Sequence, residues 1–398
     1  MTTRAPAGRP GADSARQSDI AATLLRRKQV AIIVGGVLGH EKRREVAERR
    51  RSRIDVLEME SRYGAQLYDF NRLRDGAKVS RRTRLLRWLA RRTGLWSFCL
   101  AFDVLGSLRR HDLVYATGED VGFPLAVMMR LFRARQPRQL IRLEQPVYGR
   151  TAPRQLAYQL FARFALRRID KVICRTTAHL QYLNSVVGVP MDALCFAPEN
   201  ADPSFYSSET TSERPARAVA LPSPYIVSAG LEMRDYATLV EAVRGQPVHL
   251  VIGAGSPWSH FRFDSSHELP PNVTVSSFNP EEMRQLYGSA AFVVVPVRPT
   301  LRTCGVSVLT EAWAMGKAVI ATRTAGLLDY ARDGEDVLFV RPGDVEDMRV
   351  KISYLLRHPE VASRLGRTGC RAVQTEFNLD RYLALVEEAL VSALGAEA

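Results

Sequence analysis

A chain of 398 residues with 46% apolar content can bury two or three cores and is too hydrophobic for a disordered protein. No run approaches the roughly 18 uninterrupted apolar residues of a membrane span, and Cys99, Cys174, Cys195, Cys304 and Cys370 form no C-x-x-C pair, which argues against a disulfide framework or a zinc site. The net charge of +14 is unevenly placed, with 37 Lys/Arg against 18 Asp/Glu in residues 1–200 and 19 against 24 in residues 201–398, so the two halves are suited to different partners.

Residues 1–28 mix Arg, Ser, Gly and Pro without the apolar core of a secretory signal, and read as a disordered lead-in to a cytoplasmic protein. The first strand is "QVAIIVG" (29–35), and Gly35 and Gly36 at its end form a turn in which backbone can approach a phosphate or an acceptor, or simply turn tightly. "KVSRRTRLLRWLARRTGLW" (78–96) has seven Lys/Arg and no acid among Leu85, Leu86, Trp88, Leu89, Leu95 and Trp96. Such a basic amphipathic helix either lies on an anionic membrane surface or packs its apolar stripe on its own domain. No zinc-finger spacing, RNP-like aromatic motif or helix-turn-helix accompanies the charge, so no nucleic acid is expected. Further strands are expected at 112–117, 139–144 and 171–176, with helices over 80–110, 121–134 and 151–168.

Residues 29–205 thus read as one doubly wound domain with a parallel sheet. A stretch rich in Pro, Ser, Thr and Glu breaks the pattern, with the linker over 206–223. The alternation restarts in a second doubly wound domain, 224–377, with strands at 224–230, 248–255, 272–278, 291–297, 318–322 and 336–342. Residues 359–395 look helical, and 378–398 is a C-terminal helix that can cross back to the first domain. Open parallel sheets place ligands at the carboxyl ends of their strands, so the turns at Gly230 and at Gly253 and Gly255 are candidate binding loops. The seven histidines form no ligand pair and no D-x-D is evident, so no metal is expected, and without a full G-x-G-x-x-G followed by an acid no nicotinamide or other cofactor is expected.

"LTEAWAMGKAVIATRTAGLLDYARDGEDVLFVRPGD" (309–344) resembles throughout the donor-domain pattern of the family 4 glycosyltransferases. "SAGLEMRDYATLVEAV", "VIGAGSP" and "CFAPENADPSFY" are similar to its other segments, and the likeness runs from about 170 to 377. The resemblance implies a GT-B fold, two Rossmann-like domains facing across a cleft. It implies transfer of a sugar, with retention and without metal, from a nucleotide-diphosphate donor on the second domain to an acceptor on the first.

By the same resemblance, Arg234 falls where a diphosphate-binding lysine stands, and its fork suits phosphate oxygens. Glu311 falls on the second glutamate of a paired motif and is expected to hold the ribose, one turn into a helix starting near Gly305. Thr303 replaces the first glutamate, and Leu231 replaces an arginine. The donor would be lined by Gly230, Gly253, Gly255, Phe278, Cys304, Gly305, Val306 and Ser307. The acceptor is open: a lipid-linked molecule at the inner membrane face, or a small natural product. The alternative to an enzyme is a non-catalytic GT-B protein that binds a nucleotide sugar, lipid or partner.

Overall fold

Short apolar runs bounded by turn residues become strands, the inner ones buried on both faces, as parallel sheets require. In the first sheet these are β1 (Val30–Ile33), β2 (Gln66–Tyr68), β3 (Leu113–Ala116), β4 (Arg138–Leu143), β5 (Lys171–Cys174) and β6 (Leu194–Phe196). All are parallel, in the order β2-β1-β3-β4-β5-β6. The computed structural model describes residues 20–74, 81–132, 137–143, 152–167, 169–207, 222–253, 269–300 and 302–395.

The chain divides into two compact units. One holds the first sheet, with Ile54–Pro198 and the chain from Tyr382 onward, and the other holds Val46–Arg53 and Glu199–Arg381. In the first unit residues 20–26 form helix α1, with Ala21 and Leu25 buried, so this part of the expected lead-in is folded, and residues 1–19 of it lie outside the described residues. The helices that follow are α2 (His40–Ala47), α3 (Asp55–Tyr63), α4 (Asn71–Arg74), α5 (Arg81–Thr93) and α6 (Trp96–Leu108). The single helix expected over 80–110 is two, because Gly94 adopts φ +72 and closes α5. Then come α7 (Glu119–Leu131), α8 (Ala152–Leu166) and α9 (Thr177–Tyr182).

The second sheet contains β7 (Tyr225–Ala229), β8 (His249–Gly253), β9 (Val273–Ser276), β10 (Val293–Val295), β11 (Val319–Thr322) and β12 (Leu338–Val340), again all parallel, in the order β12-β11-β10-β7-β8-β9. Its helices are α10 (Tyr236–Val243), α11 (Pro280–Ser289), α12 (Val306–Ala314), α13 (Val345–Arg357) and α14 (Pro359–Thr375). Asn279 and Glu282 close a reciprocal capping box at the start of α11. Residues 359–395 form two helices, α14 to Thr375 and then α15 (Leu379–Ala393), with the Asn378 side chain accepting from the Arg381 N–H at 2.8 Å.

The unit boundary falls at Pro198/Glu199, ahead of the expected linker. Phe205 and Tyr206 belong to the hydrophobic core of the second sheet, 4% and 7% exposed, so residues 199–205 are part of that unit and not the end of the first. The expected linker over 206–223 lies mostly outside the described residues. From Tyr382 onward α15 belongs to the first unit, where the Tyr382 hydroxyl accepts from Arg142 Nη1 at 2.9 Å and lies 3.3 Å from that of Tyr115.

Each sheet has one point where strand order reverses, the place where an open α/β sheet leaves a crevice at its carboxyl edge. In the first sheet it lies between β1 and β3, and in the second between β7 and β10.

Candidate functional site

The segment after β7 and the segment after β10, which flank the reversal point of the second sheet, are stitched together by backbone. Asp235 N–H donates to Pro296 O at 3.1 Å, Arg298 N–H donates to Met233 O at 2.8 Å, and Arg234 pairs with Val297 in an isolated antiparallel bridge. Met233 has φ +52, a conformation uncommon outside glycine, and it turns the chain into this bridge. Asp235 then caps α10 through Thr238. Arg302 and Glu232 add an ion pair at 2.7 Å between the same two segments.

This stitching sets the side chain of Arg234. It is 6% exposed, with Nε donating to Ala229 O at 2.8 Å and Nη1 to Glu232 O at 3.0 Å, and it forms no ion pair among the described residues. Two glycines make room for it. Gly230 has φ +87, and a Cβ there would stand 2.6 Å from Arg234 Nη2. Gly305 has φ +93, and its Cβ would stand 2.6 Å from Val295 Cγ1 and 3.8 Å from Arg234 Nη1. A guanidinium taken out of water without a carboxylate partner is costly to bury, which makes it a strong candidate for meeting an anion.

Gly305 is also the N-cap of α12, and no side chain caps that helix. Its first N–H groups and the positive end of its dipole therefore lie beside the guanidinium, an arrangement suited to phosphate oxygens. The helix is rigidly seated. Trp313 is fully buried, donates its indole N–H to Asp336 O at 3.0 Å, and packs against Gly369 of α14.

Glu311 lies on α12, beyond its first turn. The residue retains partial exposure, yet its carboxyl is enclosed deeply enough that burial raises its pKa from 4.5 to about 7. Hydrogen bonds from Tyr206 and Tyr287 and the charge of Arg234 pull the other way. Tyr287 Oη donates to Glu311 Oε2 at 3.2 Å. Both tyrosines are held neutral, by burial first and then by the nearby carboxylate. Their rings meet at 6.4 Å between centroids. The expectations for this site included neither tyrosine. Tyr206 ends the "PENADPSFY" segment and Tyr287 sits in α11, and nothing in their spacing links them to a glutamate on another helix.

The other expected site residues are placed as follows. Gly230, Gly305 and Val306 surround the guanidinium and the helix start, with Val306 fully buried and Ser307 exposed. Cys304 is buried in the core, and burial pushes its thiol up to about 11, so it is inert as a nucleophile. Thr303 is half-buried and forms no hydrogen bond among the described residues, while its backbone packs on Gly326. Gly253 ends β8, and a Cβ there would meet Met283 Sδ at 2.9 Å and Phe278 at 3.6 Å, so these residues pack on one another. Gly255 lies outside the described residues.

Gly35 and Gly36 belong to the first unit, at its own reversal point. Gly35 N–H donates to Thr117 Oγ1 at 3.2 Å, and a Cβ on Gly35 would run into the carboxylate of Asp120. An acid beside this turn disfavours a phosphate and favours hydroxyl groups, so of the two expectations for Gly35 and Gly36, phosphate or acceptor, the chemistry of the turn suits the acceptor better. Among the described residues no three His, Cys, Asp or Glu come together as a metal site would need, and no helix is long and apolar enough to cross a membrane.

Residues 233–358 match the model of the family described as Glycosyl transferases group 1. The lipopolysaccharide core biosynthesis glycosyltransferase LpsE of Rhizobium meliloti is 28% identical over 178 residues, which is 41% of this chain and about half, 50%, of that protein. Among solved structures, sucrose-phosphate synthase from Thermosynechococcus elongatus superposes with a TM-score of 0.67 at 17% identity, covering 92% of this chain and 99% of the other. HepE from Anabaena in complex with UDP-glucose does so with a TM-score of 0.65 at 14% identity, covering 91% and 99%. Likeness at such low identity concerns the fold, which is GT-B, with two Rossmann-like units.

Proposed function

Starting from a chain that carries a group 1 glycosyltransferase domain over 233–358, we propose that it is a hexosyltransferase-type enzyme that moves a sugar from a nucleotide-diphosphate donor to an acceptor hydroxyl. The observation that carries this reading is the guanidinium of Arg234, held between Gly230 and Gly305 beside the uncapped start of α12. In the proposed reaction the bond from the anomeric carbon to the diphosphate oxygen breaks and a bond to the acceptor oxygen forms. The acceptor proton goes to the departing phosphate oxygen, and configuration is retained. Arg234 and the helix N–H groups stabilise the charge that grows on the diphosphate, so the reading needs no metal or cofactor. Glu311, ionised, accepts hydrogen bonds from the two ribose hydroxyls.

The acceptor is proposed to bind the first unit, where the acid beside Gly35 fits a hydroxyl-rich molecule, lipid-linked or a small natural product. A cytoplasmic location goes with the five free cysteines, and contact with an anionic membrane at the inner face goes with the basic helix in 78–96. The test is thermal unfolding with UDP-glucose and other nucleotide sugars, since a ligand bound only by the folded form raises its midpoint. No shift with any common nucleotide diphosphate sugar removes the proposal.

Thr303 favours a second reading, a non-catalytic binder, because it replaces a glutamate of the family pattern and holds no hydrogen bond among the described residues. A donor-hydrolysis screen separates the two. A binder shifts the unfolding midpoint without releasing nucleotide.

A further inference from the structure

The basic helix α5 does not keep its apolar residues to itself. Leu86 and Ala90 are buried in the core of the first unit, while Leu85 and Trp88 point outward at 57% and 53% exposure. The same helical layer continues through α6, α7 and α8, which follow one another over β3, β4 and β5 by successive crossovers in one direction and so lie on one face of the sheet. Here the exposure is larger. Leu131 and Phe132 at the end of α7 are 64% and 46% exposed, and α8 adds Leu156 at 59% and Leu160 at 56%, with Phe164 continuing the stripe. Their i, i+4, i+8 spacing puts the three α8 residues on one side of the helix.

On α5 and α8 the charge is of one sign, and the acids of α7, Glu119 and Asp120, stand in its first turn, at the opposite end from Leu131 and Phe132. No Asp or Glu occurs between Gly76 and Phe102 or between Gln145 and Ile169. Arg84, Arg91, Arg92, Arg163 and Arg167 are exposed on α5 and beside the α8 stripe. Arg130 stacks over Phe164 at 4.0 Å from its ring centre and donates to Phe164 O at 3.2 Å, and Arg92 lies over Trp88 at 5.5 Å. Arginines interleaved with large exposed apolar side chains match a surface that is anionic outside and hydrocarbon beneath.

We propose that the outer sides of α5, α7 and α8 form one docking face for an anionic lipid bilayer, in which α8 and the end of α7 supply the inserted side chains and α5 supplies mainly charge. This rests on the membrane part of the proposed function and extends it beyond residues 78–96. It also makes a lipid-borne acceptor the natural substrate class.

The test is co-sedimentation of the full chain with phosphatidylglycerol or phosphatidylcholine vesicles. The expected result is binding to the first and little to the second, with at least tenfold weaker binding in Leu156→Asp/Leu160→Asp, and again in Arg91→Glu/Arg92→Glu. Protection by UDP-glucose is measured on the same samples; it reads the transferase proposal separately and stays unchanged in both variants. Equal binding to both vesicles, or undiminished binding in Leu156→Asp/Leu160→Asp, overturns the proposal. So does a wild-type dimer that this variant converts to a monomer, because the face would then belong to a second copy. Hydrogen exchange on the wild type decides the matter even where a variant misfolds: vesicles protect α8 if the face docks, and leave it unchanged if it does not.

Discussion

The hydroxyl of Tyr287 donates to Oε2 of Glu311 at 3.2 Å, tying α11 to the carboxylate on α12. With Tyr206 as a second donor, the carboxyl is fixed in direction before any ligand arrives. Arg234 adds a positive field without forming an ion pair with it among the described residues.

A carboxyl raised from 4.5 to about 7 in the folded state binds its proton more tightly there than when unfolded. Stability of the ligand-free protein therefore falls as pH rises through the window from 4.5 to about 7, by up to about 3 kcal/mol at full ionisation. Glu311→Gln removes that loss, so denaturant unfolding at pH 8 finds the variant more stable than wild type while its nucleotide affinity drops. Nucleotide affinity of the wild type rises with pH through about 7, because only the ionised form accepts two hydroxyl protons. A wild-type affinity that is flat from pH 6 to 8 would falsify this role.

Tyr287→Phe and Tyr206→Phe each remove a donor that favours the ionised carboxylate. Each moves the pH midpoint of nucleotide binding upward and weakens binding at pH 7 severalfold, with a stability change of about 1 kcal/mol for the lost hydrogen bond. Isothermal titration across pH reads both quantities. Midpoints identical to wild type in both variants would leave the tyrosines as packing residues only.

Gly230→Ala and Gly305→Ala impose a side chain at φ +87 and +93, where an L-residue is strained by roughly 1–2 kcal/mol. The new methyl at 230 presses on Arg234 Nη2, and the one at 305 presses on Val295. Both variants are expected to lose stability, and Gly230→Ala to lose nucleotide affinity beyond what its stability explains. Chemical denaturation paired with UDP titration separates the two effects. Equal affinity in Gly230→Ala and wild type would show that the guanidinium need not stand where it does.

Much of the architecture was legible because β1, β7, β8, β10 and β11 are apolar runs buried on both sides, a pattern that needs no tertiary information. β2 and β6 are three residues long, at opposite edges of the first sheet, and too short to carry a period. Arg234 and Glu311 are expected from a long ordered pattern, but that pattern does not say how the guanidinium is held. Its seat depends on the backbone bridge between Arg234 and Val297 and on two glycines that are distant in sequence. The tyrosines were invisible for the same reason, since their hydroxyls become donors to Glu311 only once the fold brings Tyr206, and Tyr287 of α11, to α12. The turn at Gly35 leaves phosphate and acceptor open in the sequence because the group beside it, Asp120, arrives from the segment after β3.

The central claim is that Arg234 and the start of α12 together receive a pyrophosphate. Calorimetric titration of wild type and Arg234→Ala with UDP and with uridine tests it most directly. The account predicts that Arg234→Ala loses UDP affinity about ten- to a hundredfold, the worth of a hydrogen bond to a charged group, while weak uridine binding stays unchanged. A variant that binds UDP as tightly as wild type, with its fold intact, would contradict it.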